Sequence, residues 1–241
     1  MSSAARPDPF SFAEDNAGWP VLRPKDAAAL ILVRRDEHAF RVLMGERSAH
    51  HAFLPGRFVF PGGRVDVADQ RLAVDTDLRP EVRAKVAAGT TTARARGLAL
   101  AAIRETFEET GILVGTKRRT AVRTRSAAWQ RFFSHGVSPR LEALDFVARA
   151  ITPPGRPRRF DARFFMADAD EIGAELGASH ASGELLRPVW LTLEEARAAD
   201  VLPITRCVIN EVDARLKGTR DAFAPVPFFI PRRGKAVILE L

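Results

Sequence analysis

The sequence predicts a mixed α/β domain. Three observations carry that expectation. Short apolar runs of strand length, such as Ala28 to Val33 and Ile112 to Val114, occur along the chain. Longer stretches with helical spacing lie between them, Leu98 to Thr110 being the strongest. No linker, internal repeat or low-complexity tract divides the 241 residues, a length that suits one large domain or a small one with additions.

Residues 1–24 carry prolines at 7, 9, 20 and 24 and read as an irregular lead-in. A single domain is expected over 25–241. Ala28 to Val33 suits a buried strand and Arg41 to Met44 its partner, with Arg34 to His38 as the turn. Glu46 to Pro55 is loop-like, and Arg57 to Phe60 is a strand stopped by Pro61-Gly62-Gly63. The polar stretch 70–97 predicts one helix from Pro80 to near Gly89, followed by a surface loop TTARARG. The Leu98 to Thr110 helix then ends on Gly111, a natural C-cap residue.

Ser126 to Phe133 suits a helix. Leu144 to Ile151 and Phe160 to Met166 read as strands, separated by the turn TPPGRPRR. Val189 to Leu191 is a short strand, and Thr192 with Glu195 three residues on forms a capping box for the next helix. Pro203 precedes a further helix with Ile204, Val208, Val212 and Leu216 on one stripe. The last residues alternate between turns and an apolar strand.

Composition is that of an ordinary soluble globular protein, 46% hydrophobic and 28% charged. The formal charge of +7 and a pI of about 10.6 suit nucleic acid, acidic membrane or a phosphate-rich small molecule, and do not choose among them. Cys207 is the only cysteine, which excludes an internal disulfide and a cysteine-based zinc cluster. No apolar run reaches membrane-spanning length, and the first ten residues lack a signal-peptide core. A cytoplasmic protein is expected.

The helix from Leu98 carries the chemistry. At about 100° per residue, Leu100, Ile103 and Phe107 share a core face. Glu105, Glu108 and Glu109 fall on an adjoining arc of roughly 100°. Like charges at these spacings cost stability. A divalent cation offsets that cost, and hard ions such as Mg²⁺ or Mn²⁺ take oxygen ligands. The plain alternative is a solvated acidic face with Arg104 balancing Glu108.

The run Arg104-Glu105-Thr106-Phe107-Glu108-Glu109-Thr110-Gly111 resembles the second half of the Nudix box, and Phe60-Pro61-Gly62-Gly63 resembles its opening. Asp69 stands where that family usually has a glutamate. Gly63 and Arg104 are 41 positions apart, against about 14 in the usual box. A surface insertion of that size is tolerable, because closure entropy grows slowly with loop length. The box helix, Ile151-Thr-Pro-Pro154 and the run Arg158 to Phe165 are similar to the peroxisomal coenzyme A diphosphatase branch and its bacterial relatives. Arg47-Ser48 and Leu54 to Gly63 match a coenzyme A hydrolase motif incompletely, and the chain ends in Leu239-Glu240-Leu241 rather than a peroxisomal tail.

The resemblance implies an α/β/α sandwich around a mixed, curved sheet, with an insertion at 70–97 between the halves of the box. It implies Mg²⁺ or Mn²⁺ held by Glu105, Glu108, Glu109 and the carbonyl of Gly62. Glu105 is the candidate to orient or deprotonate water. Arg104 would hold a carboxylate in place, with Asp69 as a supporting residue. Arg156, Arg158 and Arg159 suit contacts to a substrate phosphate. Phe160, Phe164 and Phe165 read as core rather than base-stacking residues. His50 and His51 read as surface, and Lys117, Arg118, Arg119, Arg123 and Arg125 as a basic stretch without the aromatics of a nucleic-acid site.

Three functions follow from the resemblance. They are hydrolysis of coenzyme A or acyl-coenzyme A, hydrolysis of another nucleoside diphosphate derivative such as NADH, ADP-ribose or a sugar nucleotide, and a non-catalytic nucleotide-binding module. A small-molecule partner is expected, with no nucleic acid and no membrane. A homodimer rests on family habit.

Overall fold

The computed structural model describes residues 9–10, 22–47, 56–119, 121–176, 181–220, 223–232 and 235–241. Strand β1 (Lys25–Arg35) is apolar because both of its faces are covered. Leu30 and Leu32 enter one hydrophobic core, and Ile31 and Val33 enter another on the opposite side. β2 (Phe40–Arg47) returns beside it, and the short β3 (Phe58–Val59) and β4 (Gly62–Arg64) add to β2 and β1.

Next come α1 (Val67–Arg71), α2 (Pro80–Val86) and the long α3 (Thr92–Thr110). β5 (Ile112–Val114), β6 (Thr116–Lys117), α4 (Ala127–Ser134) and β7 (Val137–Ser138) follow, then β8 (Asp145–Ile151), β9 (Phe160–Asp168) and β10 (Ile172–Glu175). The chain continues with β11 (Leu185–Thr192), α5 (Leu193–Ala198), α6 (Pro203–Leu216), β12 (Pro227–Arg232) and β13 (Lys235–Glu240).

Among the described residues the main sheet has nine strands. It runs β11-β2-β1-β9-β8-β12-β13, with β3 and β4 attached to β2 and β1. β1 pairs with β9 in parallel, as does β8 with β12, and the other pairs are antiparallel. Residues of α2, α3 and α4 fill the core on one face, and those of α5 and α6 fill it on the other. The domain is thus an α/β/α sandwich around a mixed, open sheet. No described helix is long and apolar enough to cross a membrane.

Several expectations hold closely. Leu100, Ile103 and Phe107 are fully buried. Gly111 closes α3 at φ 74°, where its N–H bonds the Phe107 carbonyl at 2.9 Å. Thr192 and Glu195 make their capping box, with bonds of 3.1 and 2.7 Å. Ile204, Val208 and Val212 are buried on α6, and Leu216 is partly so.

Others need correction. TTARARG is not a loop: Thr91 caps α3 by accepting from the Arg94 N–H at 3.2 Å, and the helix starts at Thr92. Gly97 sits inside the helix for packing. A Cβ there would stand 2.7 Å from Gln70 Cγ and 3.1 Å from its Cα, so the glycine lets α1 lie against α3. The strand before Pro61 does end, at Val59, but Gly62 and Gly63 then open a further strand. The residues 48–55, including His50 and His51, and most of the lead-in lie outside the described residues.

Candidate active site

Gly62 and Gly63 form β4 because nothing larger fits there. A Cβ on Gly62 would stand 2.5 Å from the Ala28 carbonyl oxygen. A Cβ on Gly63 would stand 2.4 Å from Glu105 Cδ. The two glycines therefore bring β4 between β1 and the carboxylates of α3. Leu30 N–H bonds the Pro61 carbonyl, and Val65 N–H bonds that of Asp26. Ladder bonds of an antiparallel pair alternate, so the N–H and C=O of Gly62 face away from β1. There the Gly62 N–H donates to Glu109 Oε2 at 2.8 Å.

Arg104 organises the acidic side of α3. Its Nε and Nη2 donate to the two oxygens of Asp69 at 2.9 and 3.0 Å, a bidentate and buried pair. Nη2 also donates to the Arg64 carbonyl at 2.9 Å. Nη1 meets Glu105 Oε1 at 2.9 Å and bonds Glu108 Oε2. Asp69 accepts two further bonds, from the Trp129 indole N–H and the Asp66 backbone N–H, both at 2.8 Å. Asp69 thus supports Arg104 from α1.

Glu109 is 4% exposed. Burial raises its pKa to about 8, against the Gly62 hydrogen bond and with help from the Glu105 charge. Burial likewise raises Glu105 to about 7, against the Arg104 charge and with help from Glu108. Neither carboxylate has its negative charge fully offset by the protein. That is the electrostatic condition a bound cation relieves.

Both carboxylates line a cavity of about 480 Å³, together with Gly62, Gly63 and Arg64. Arg47, Arg158 and Glu184 also line it. The remainder is largely apolar and includes Phe60, Phe160, Ala162, Phe164 and Ile204. The size and the apolar wall with a few polar groups suit a small-molecule ligand.

Not every candidate meets here. Glu108 is not a wall of the cavity and is turned onto Arg104. Among the described residues, no three His, Cys, Asp or Glu side chains group closely enough to hold an ion. The oxygen set available to Mg²⁺ or Mn²⁺ is Glu105, Glu109 and backbone carbonyls, which fits a hard ion that completes its shell with water and substrate phosphates. Arg158 reaches the cavity, whereas Arg156 and Arg159 do not line it. Arg159 donates instead to the carbonyls of Thr152 at 3.0 Å and Leu22 at 2.6 Å. Phe165 is core as expected and Phe164 packs against the second core, while Phe160 and Phe164, on the other face of β9, also line the cavity.

Sequence reasoning missed Trp129 and assigned Arg47 no role. Trp129 reads as an ordinary apolar residue of α4, and nothing in its spacing points to Asp69. Arg47 shares the cavity with Glu109, and its burial lowers its pKa against the pull of Glu109 and Glu184.

This architecture is the fold of the Nudix hydrolases. A crystal structure of a NUDIX hydrolase from Alicyclobacillus acidocaldarius superposes with a TM-score of 0.62 at 24% identity, covering 84% of this chain and 99% of that one. In sequence, the chain is similar to a Caenorhabditis elegans protein named "Putative nudix hydrolase 7", 29% identical over 158 residues. That match takes in 61% of this chain but only 45% of the relative, so the chain spans less than half of its length. No protein-family profile matches the chain.

Proposed function

We propose that the chain is a divalent-metal-dependent Nudix diphosphatase acting on a nucleoside diphosphate derivative, with coenzyme A or acyl-coenzyme A as its substrate. The single observation that carries the activity is the pairing of the half-buried Glu105 with the buried Glu109 beside Gly62 on the wall of a ligand-sized cavity. The sequence similarity at 101–111 and 151–165 carries the coenzyme A reading.

A bound Mg²⁺ or Mn²⁺ would supply Lewis-acid polarisation of the phosphoryl oxygens. Glu109, Glu105 and the Gly62 carbonyl would hold that ion. Glu105 orients the attacking water and takes its proton. Arg104 fixes Glu105 through its ion pair and is itself fixed by Asp69. Arg158 and Arg47 offset charge on the diphosphate oxygens. The aromatic wall of Phe160 and Phe164 receives the apolar or heterocyclic part of the substrate.

One observation favours a second reading. Only Arg158 of the three loop arginines lines the cavity, so recognition of a 3′-phosphate has one arginine of that loop to draw on. Substrates without that phosphate, such as NADH or ADP-ribose, fit this equally well. The test is a hydrolysis screen with Mg²⁺ and with Mn²⁺ over coenzyme A, NADH, ADP-ribose and a sugar nucleotide. Release of adenosine 3′,5′-bisphosphate from coenzyme A at the highest kcat/KM supports the first reading. Preference for NADH or ADP-ribose overturns it, and binding without product from any of them would make the protein a binding module.

A further inference from the structure

A second cavity, of about 620 Å³, shares no wall residue with the first. Its size lies within the range of small-molecule sites. The antiparallel β6–β7 pair supplies Lys117 and Ser138, and Arg118 and Arg119 follow β6 directly. The 70–97 insertion supplies Asp75 and Thr76. The turn after β7 supplies Arg140 and Glu142. Four cationic side chains thus face two acidic ones.

These cations are not equivalent. Arg140 is committed to Glu142 and Glu171, at 3.2 and 2.6 Å. Lys117, Arg118 and Arg119 form no ion pair among the described residues. Arg118 lies over the Phe133 ring, 5.8 Å from its centroid, which fixes its position. A solvated basic surface segment would account for the charge alone. It does not account for two buried polar atoms of the same cavity. Ser138 is 4% exposed and its Oγ has no hydrogen-bond partner, and Glu142 Oε2 is buried and equally without one. Orphaned buried polar atoms are uncommon and costly. Glu142 Oε2 can only accept, and Ser138 Oγ can donate or accept.

The wall is also braced. Thr76 Oγ1 donates to the Pro139 carbonyl at 3.1 Å and accepts from the Leu141 N–H at 2.9 Å. Arg96 on α3 donates to the Val74 and Thr76 carbonyls at 2.8 and 3.3 Å. The insertion is thereby tied to both the segment after β7 and the long helix, so the cavity is formed before any ligand arrives.

We propose that this cavity is a second binding site, separate from the carboxylate site, for a small phosphate monoester that carries hydroxyl groups. The phosphate is placed on Lys117, Arg118 and Arg119, and hydroxyl groups of the same molecule satisfy Glu142 Oε2 and Ser138 Oγ. Inorganic phosphate meets the first requirement and not the second. The site does not depend on the proposed hydrolysis.

The experiment is calorimetric titration of the full chain with ribose 5-phosphate and with inorganic phosphate. EDTA removes free cations, and 150 mM NaCl screens loose surface attraction. The expected result is saturable binding of ribose 5-phosphate, tighter than that of phosphate. Lys117→Gln with Arg119→Gln should weaken it more than tenfold, and Ser138→Ala about fivefold, the worth of one ordinary hydrogen bond. Arg158→Gln, in the first cavity, should leave it unchanged. Both Lys117 and Arg119 are exposed, so their replacement leaves the fold intact. Absence of saturable binding overturns the proposal, as do equal affinity for the two ligands and a loss that follows Arg158 instead.

Discussion

Trp129 donates its indole N–H to the same Asp69 oxygen that receives Arg104 Nε, at 2.8 and 2.9 Å. One buried carboxylate on α1 thus joins α4 and the acidic helix. Trp129→Phe keeps most of the ring packing and removes one bond to a charged acceptor. It should cost about 1.5–3 kcal/mol in denaturant unfolding and lower kcat through the loosened Arg104. Unchanged stability in that titration would show that the bond does not hold the network.

Removing the charge of Asp69 is harsher. Arg104 is almost fully buried, and its partner there is Asp69. Breaking a buried pair from one side costs about 3–5 kcal/mol. Asp69→Asn should destabilise by that order, more than Trp129→Phe does. A loss below about 1 kcal/mol would mean that Glu105 and Glu108 suffice to hold Arg104.

Gly63 is fixed by the approach of Glu105. Gly63→Ala places a methyl where the carboxylate stands, since its Cβ would lie 2.4 Å from Glu105 Cδ. Glu105 must then move. Titration with Mn²⁺ should show affinity reduced by more than about tenfold, a loss comparable to that for altered support around a metal ligand. Wild-type affinity would place the ion away from Glu105.

Burial raises Glu105 to about 7 and Glu109 to about 8, so the folded chain without metal holds protons more tightly than the unfolded one. Their contribution to stability is present in full below the ordinary carboxylate value near 4.5. It is lost as pH rises through about 7 and 8. In EDTA, Tm should therefore fall between pH 5 and pH 8.5. Mg²⁺ or Mn²⁺ should restore it most at the upper end, and Glu105→Gln with Glu109→Gln should flatten the slope. A Tm that rises across this range in EDTA, with no change in slope in the double variant, contradicts the burial of these carboxylates.

The sequence carried the second half of α3 because a three-residue apolar stripe, a cluster of carboxylates and a terminal glycine all report local geometry. Its first half was hidden by Gly97, which looks like a breaker and is a packing contact with Gln70. Asp69 was legible as an acidic position and not as the acceptor of four bonds, because three of the donors come from elsewhere in the fold and the fourth from the cap of a helix too short to show a period. Phe160, Phe164 and Phe165 look alike in sequence. Strand alternation separates them only once the faces of β9 are known, with Phe165 fully buried in one core and Phe164 packed against the other from the cavity wall. Arg158 and Arg159 differ for the same reason: one faces the cavity, and its neighbour is used by the Thr152 and Leu22 carbonyls.

The central claim is that Glu109, held by the Gly62 N–H, carries metal-dependent cleavage. The direct measurement is kcat/KM of Glu109→Gln with Mg²⁺ on the best substrate of the screen, with circular dichroism to check the fold. The account predicts a loss of more than about tenfold with an unchanged spectrum. Turnover near that of the unaltered chain would contradict it.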